Sequence, residues 1–202
     1  METIRLFNLH SIDTYLASID EKIKQELLSS STAMLSGDPA EMAKRISDKY
    51  KVNIPVFDYN STSSKVEHTP ERYMNRIVMT DYVIYEIPFR GDINILSCRP
   101  NRGMCQIGYP LEVSTSNSKI SFYINSQGLV HNTGEPRERV KRHAQSIRDF
   151  IDCSLAELKI SINEWNNSLE TLLFEGIKVN KEHLQNMRSK QQSLEDDLNI
   201  FK

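Results

Sequence analysis

The residues best equipped for chemistry lie in two overlapping stretches, YEIPFRGDINILSCRP (85–100) and RPNRGMC (99–105). Asp92 follows Gly91 in the first, and Arg99 and Arg102 stand around a Gly-containing turn in the second. A guanidinium is a planar, two-pronged donor, so an Arg99/Arg102 pair would clamp a phosphate or carboxylate beside Asp92. Asp92 could instead join Asp81 or Glu86 at a metal. Glu86, however, lies six residues earlier on a strand that ends near Phe89, and nothing in the spacing makes these acids converge. A competing explanation needs no ligand. Glycine accepts a positive φ without steric cost and aspartate bonds its own following backbone, so Gly91-Asp92 reads as a tight corner between two apolar runs. The pocket of Asp92, Arg99 and Arg102 is kept as the alternative.

A second charged feature is PRERVKRHAQSIR (136–148), where Arg137, Arg139, Lys141 and Arg142 crowd the start of a helix. Cations there oppose the helix dipole, which points to an anion or an acidic partner surface. Interleaved aromatics are absent, so a solvated face or a protein interface is preferred to nucleic acid. Cys98, Cys105 and Cys153 are widely spaced, with no CxxC or Cys/His pattern, and read as reduced thiols. The histidines, His10, His68, His131, His143 and His183, never pair at metal-ligand spacing. No metal site and no cofactor is implied. GxSxG, P-loop, GxGxxG and HExxH motifs are all missing, which removes the standard signatures of hydrolases, NTPases, dinucleotide enzymes and zincins.

The elements that must position these residues fall into three zones. Ile12, Leu16, Ile19, Ile23 and Leu27 repeat at helical steps behind Ser11, which is placed to cap them. Asp38-Pro39-Ala40-Glu41 offers a second cap and a proline at the first helical position, before Met42, Ile46 and Tyr50. The period then changes to two. TDYVIYEIPF (80–89) reads as a strand covered on both faces, Ile93 and Ile95 continue it past the corner, and QIGYPLEVS and KISFYIN add two more, giving a small, mainly antiparallel sheet. Residues 58–70 are polar and read as a loop. After Gly134 the chain is helical to its end: Ile151, Leu155, Leu158, Ile162, Trp165, Leu169 and Leu172 form one stripe, and Leu184, Met187, Leu194 and Leu198, with Gln191 between, form another. A break is expected near Asn166-Asn167-Ser168 or from Gly176 to Asn180, giving a hairpin or coiled-coil arm. The fold expected is thus α+β, with a domain of helices and sheet over 1–133 and an arm over 134–202.

Bulk composition limits the function classes. At 202 residues, 39% hydrophobic and 26% charged, with a net charge of −2, the chain is neither a disordered tail nor a wholesale polyanion binder. Seven glycines and seven prolines are few for a loop-rich β protein. The amino terminus mixes acids among its apolar residues, and no run is long enough to span a bilayer, so the expectation is a cytoplasmic protein without a membrane partner.

Ile87 to Phe89, Gly91-Asp92, Leu96, Arg99-Pro100 and the helical tail with Asn167 and Leu169 together resemble an uncharacterised family of bacterial proteins that join a small sheet to a helical arm. The resemblance covers about residues 80–200 and implies a setting among anti-phage defence genes; it supplies no catalytic residues. The function expected is a non-enzymatic assembly, sensor or scaffold module that binds a second copy of itself or an effector protein, with Trp165 near the centre of the contact. The alternative is a nucleotide- or nucleic-acid-binding domain, or an enzyme, built on the Arg/Asp pocket.

Overall fold

The computed structural model describes residues 2–30, 35–101, 105, 111–116, 118–126, 129 and 134–199. It is a mixed α/β chain. Three helices are described, α1 (Ile12–Ser29), α2 (Pro39–Tyr50) and α3 (Glu135–Leu198), and Leu35 and Ser36 are also helical, a turn the sequence reading does not anticipate. Eight strands are described: β1 (Glu2–Arg5), β2 (His10–Ser11), β3 (Val56–Phe57), β4 (Ser63–Tyr73), β5 (Arg76–Arg90), β6 (Cys98–Arg99), β7 (Glu112–Ser116) and β8 (Lys119–Ser126). The chain divides into two compact units, Met1–Thr14 with Asn53–Ser161 and Tyr15–Val52 with Ile162–Lys202. They cut across the expected boundary at 133/134, because α1 and α3 each supply one stretch to each unit.

The first unit holds the sheet, ordered β1-β7-β8-β5-β3 and antiparallel throughout, with β4 also pairing β5. Register explains its core. Val83 faces Ile124, Tyr85 faces Phe122 and Ile87 faces Ile120, so one side of the sheet carries an apolar row that is buried apart from half-buried Tyr85. The opposite side pairs Tyr82 with Asn125, Glu86 with Ser121 and Pro88 with Lys119; Ile84 is buried there, but its partner Tyr123 is exposed. The sheet therefore has one dry face rather than the two expected, as is common for antiparallel sheets.

Residues 63–73, expected to be loop, form strand β4. Their polarity misleads because β4 is an exposed outer strand that pairs only with β5 among the described residues, so it needs no apolar face. Met74 and Asn75 turn the hairpin with φ values of 43° and 64°, the pair of positive angles that a two-residue turn of the mirror-image type requires. Ile93 to Ser97, expected to extend a strand, form a short 3-10 helix instead. Of the expected strand QIGYPLEVS, residues 106–110 lie outside the described residues, while Glu112–Ser116 is extended.

The second unit is a helical layer in which Leu16, Ile19 and Ile23 of α1, Met42, Ala43 and Ile46 of α2, and Ile162, Leu169, Leu173 and Ile177 of α3 are buried. Both anticipated caps are present. The Thr14 amide donates to Ser11 Oγ at 3.1 Å, within the first unit, and the Glu41 amide donates to Asp38 Oδ2 at 3.2 Å. Glu26 accepts from Lys49 and from the Tyr50 hydroxyl, and these bonds, the Lys49 one foremost, hold its carboxyl below the usual range.

No hairpin breaks the arm: α3 is one helix of 64 residues. Asn166 does not interrupt it because its side-chain amide has a task inward, accepting from the Val52 amide and donating to the Val52 carbonyl, each at 3.0 Å. Gly176 has open space around it. A helical glycine costs about 1 kcal/mol, which burial of Leu173 and Ile177 at about 1.5–3 kcal/mol each outweighs.

The Gly91-Asp92 corner behaves as a structural device. Gly91 has φ 119°, and a Cβ there would meet Ile54 O and Pro55 Cα at 2.8 Å each. Asp92 caps the 3-10 helix, its Oδ1 accepting from the Asn94 amide and from Asn94 Nδ2, both at 2.9 Å. Gly91→Ala should therefore lower stability by about 2–3 kcal/mol, and Asp92→Ala by about 1 kcal/mol. Urea unfolding of both variants checks the order; an Asp92→Ala loss exceeding that of Gly91→Ala would place more than a cap on the carboxylate.

Candidate functional site

The basic start of α3 meets the dry face of the sheet in a groove of about 410 Å³. Val66, Val83, Tyr85, Leu129 and Val140 make its walls, and Arg137 and Lys141 stand at its rim. This placement follows from helical spacing: Arg137, Val140 and Lys141 lie three and four residues apart and so share one side of the helix. Lys141 is held by Glu138 at 2.8 Å, and that partner keeps the Glu138 carboxyl below its ordinary range. Arg139 and Arg142 are exposed and do not line the groove. The arrangement suits a molecule with an apolar body and an anionic end. Among the described residues its lining holds no Ser, Thr or Cys.

Of the expected pocket of Asp92, Arg99 and Arg102, the described residues include the first two. Asp92 is engaged by Asn94, Arg99 is an exposed residue of the two-residue strand β6, and Arg102 lies outside the described residues. Asp81, weighed as a possible partner for Asp92, has other company. Buried in β5, it accepts the Leu129 amide at 2.7 Å and pairs with Nδ1 of His68.

His68, Asp81 and Ser126 occupy one row across β4, β5 and β8. The row has the composition of a nucleophilic triad in the wrong order. Such a triad needs imidazole between hydroxyl and carboxylate, and here the carboxylate is in the middle, two strand spacings separating Ser126 from His68, roughly 9.5 Å. Sequence reasoning missed the pairing because the loop reading of 58–70 removed His68 from the sheet.

A cysteine and histidine also come together. Cys98 Sγ lies 3.5 Å from His10 Nε2, because β2 and β6 pair in parallel with His10 opposite Cys98. The pair resembles a thiol nucleophile and its base, yet burial, with a further contribution from Asp92, pushes the Cys98 thiol up to about 12. A thiol that stays protonated at neutral pH is a poor nucleophile. Its proton goes to the Asn94 carbonyl at 3.3 Å, a packing contact.

The other two cysteines correct the expectation of three reduced thiols. Cys105 and Cys153 form a disulfide across 48 positions, with Cα atoms 5.9 Å apart. Their separation in sequence hid a pairing that only the return of α3 past the sheet brings about. Tyr59 ties the same stretch of helix, donating to Asp152 Oδ1 at 2.6 Å beneath Arg148, whose guanidinium lies 4.3 Å from the ring centre. Burial, reinforced by Asp152, raises the Tyr59 phenol well above its ordinary range.

The residues expected at an intermolecular contact are divided. Ile151, Leu158, Ile162 and Leu169 are buried within the chain, Leu155 and Trp165 are half-buried, and Leu172 is 62% exposed. The indole N–H of Trp165 points to Asp20 Oδ1 at 3.3 Å. The expected stripe kept a strict 3.5-residue period, which drifts around a straight helix by about 20° every seven residues. The buried positions instead include 147, 158 and 169, and 151, 162 and 173, an eleven-residue repeat that moves the seam from Leu172 to Leu173 and Ile177.

Among the described residues no helix is long and apolar enough to cross a membrane. No protein-family model, no curated protein and no solved structure matches the chain.

Cys98 gives a direct test of this reading of the reactive groups. Its raised thiol adds stability that is fully present below the unfolded value near 9 and is lost as pH climbs from there toward about 12. The native chain should leave Cys98 unmodified by iodoacetamide at pH 8, and denaturant should release it. Rapid native alkylation at Cys98, mapped by mass spectrometry, would revive a nucleophilic role for the pair with His10.

Proposed function

We propose that the protein is a non-enzymatic assembly module, and that the carboxyl-terminal turns of α3 pair with the same turns of a second copy. One observation carries this reading. Every residue from 185 to 198 is exposed, yet the segment is helical and holds Met187, Leu194 and Leu198 at 54%, 58% and 69% exposure. In proteins most helical stability comes from packing of an amphipathic face rather than from propensity, and these last turns have no such cover within the chain. Leu184, Met187, Gln191, Leu194 and Leu198 alternate by three and four, the seam of a two-stranded coil.

Charge selects the direction of pairing. Arg188 and Lys190 precede the seam's midpoint, and Glu195 and Asp197 follow it, on the positions that flank the seam. Antiparallel pairing sets Arg188 against Glu195 and Lys190 against Asp197, each twice by symmetry. Parallel pairing joins Lys190 to Glu195 and Asp197 to Lys202 but leaves Arg188 facing His183. The dimer is therefore antiparallel. Spent reactive groups favour assembly over catalysis, since Cys98 is protonated and Asp92 caps a helix. A cytoplasmic location, and service in a bacterial defence complex with an effector protein, belong to the same proposal and rest on the sequence resemblance and composition alone.

A second reading, binding of an amphipathic anion, draws on the groove between Arg137 and Lys141. It is compatible with a sensor role. Nucleic acid is less favoured, because Arg139 and Arg142 do not join the same groove.

Sedimentation equilibrium of the full chain should show a dimer, and Met187→Asn with Leu194→Asn should yield a folded monomer. Arg188→Glu should weaken the dimer about five- to tenfold by turning two attractions into repulsions. The exchange Arg188→Glu with Glu195→Arg should restore it, which parallel pairing forbids because the arginine introduced at position 195 would then face Lys190. A wild-type monomer at millimolar concentration contradicts the assembly reading.

A further inference from the structure

Glu157 lies one helical turn beyond Cys153 on α3, and the i, i+4 spacing puts both side chains on one side of the helix. Cys105 completes a group in which both sulfurs and a Glu157 oxygen lie within 4.8 Å of one another. The disulfide accounts for the sulfurs and leaves the carboxylate unexplained. Glu157 Oε2 is buried and has no hydrogen-bond partner among the described residues. A buried carboxylate oxygen without a donor is costly, and charged groups in that position are ordinarily paired or bound to a metal.

One arrangement satisfies all three groups. We propose that the reduced chain binds a single Zn²⁺ through Cys105, Cys153 and Glu157, with water at the fourth position, and that the disulfide is the metal-free, oxidised form of the same site. Two thiolates and a carboxylate are a borderline-soft donor set suited to zinc. In a tetrahedral zinc site with bonds of about 2.3 Å, two sulfurs stand roughly 3.8 Å apart. That separation needs only a small parting of the sulfurs now joined. The interconversion balances through a low-molecular-weight thiol: two equivalents of thiol reduce the disulfide, giving two cysteine thiols and one small-molecule disulfide. Zn²⁺ then displaces two protons as the thiolates bind it. In reverse, a small-molecule disulfide accepts the two electrons, the Cys105–Cys153 bond forms and the ion leaves.

Both states tie the segment bearing Cys105 to α3, so the switch changes charge and ligation at the site while the tether remains. In a reducing compartment the thiol form prevails, and the metal takes over the stapling role of the disulfide. Cysteines 48 positions apart carry no metal-ligand spacing in the sequence. A helical Cys-x-x-x-Glu pair awaiting one distant cysteine has no local signature.

Cobalt titration of the purified full chain, reduced with a phosphine under anaerobic conditions, tests the proposal. One equivalent of Co²⁺ should bind per chain with a sulfur-to-cobalt charge-transfer band in the near ultraviolet, and Zn²⁺ should displace it. The disulfide form should give no band. Cys105→Ser and Cys153→Ser should each abolish it, and Cys98→Ser should leave it unchanged. Glu157→Gln, which preserves shape at one position on the helix, should weaken binding by at least about tenfold, the loss that even outer-shell changes produce. No charge-transfer band in the reduced chain overturns the proposal, and so does a band that survives Glu157→Gln with unchanged affinity. Circular dichroism confirms that each variant remains folded, and the Glu157→Gln comparison stands even if a serine variant does not.

Discussion

The apolar face of α3 must be kept from water along most of its length, and both compact units depend on that requirement. Val140, Ile147, Ile151 and Leu158 are buried in the unit that holds the sheet, and Ile162, Leu169, Leu173 and Ile177 are buried in the helical unit. At about 1.5–3 kcal/mol for each buried aliphatic side chain, these eight outweigh any local break signal in the helix. Asn166 and Gly176 are tolerated for this reason. An eleven-residue repeat, about 3.67 residues per turn, stays closer to the 3.6 of an α-helix than a seven-residue repeat does, so the buried positions stay on one face over more turns.

A consequence is that polar and reactive groups near this helix are assigned to holding it in place. Asn166 clamps the backbone of Val52, Tyr59 reaches Asp152, and Cys153 is joined to Cys105. Cys98 and His10 lie together because two short strands pair, and burial then removes the reactivity that their meeting suggests. The proposed binding draws on three places with different chemistry: the apolar groove with its basic rim, the Cys105, Cys153 and Glu157 cluster, and the exposed turns from 185 to 198.

Much of the secondary structure was legible because its causes are local. Ser11 and Asp38 announce the starts of α1 and α2 through the bonds they make, and the alternation in β5 and β8 marks strands without reference to the rest of the chain. Gly91-Asp92 reads correctly as a corner because a positive φ and an Asx bond are properties of two residues. What was not legible depends on partners far away in sequence. Residues 63–73 become a strand only because β5 offers an edge, and the His68–Asp81 pair follows from that pairing, while the Cys105–Cys153 bond follows from the return of α3 past the sheet. Leu155 and Leu172 leave the buried seam for another reason, since periods of 3.5 and about 3.67 residues separate only along a long helix. The basic start of α3 was found in sequence; its division into Arg137 and Lys141 at the groove and Arg139 and Arg142 away from it required the helix to be placed.

The central claim is that α3 has an inner stretch ordered by its own chain and an outer stretch ordered by a second copy. Amide hydrogen exchange measured by mass spectrometry at micromolar and at millimolar chain concentration separates the two. The account predicts that amides from Val140 to Ile177 are protected at both concentrations, while those from 185 to 198 exchange freely when dilute and become protected when concentrated. Protection of 185–198 that is the same at both concentrations, whether high or absent, would contradict it.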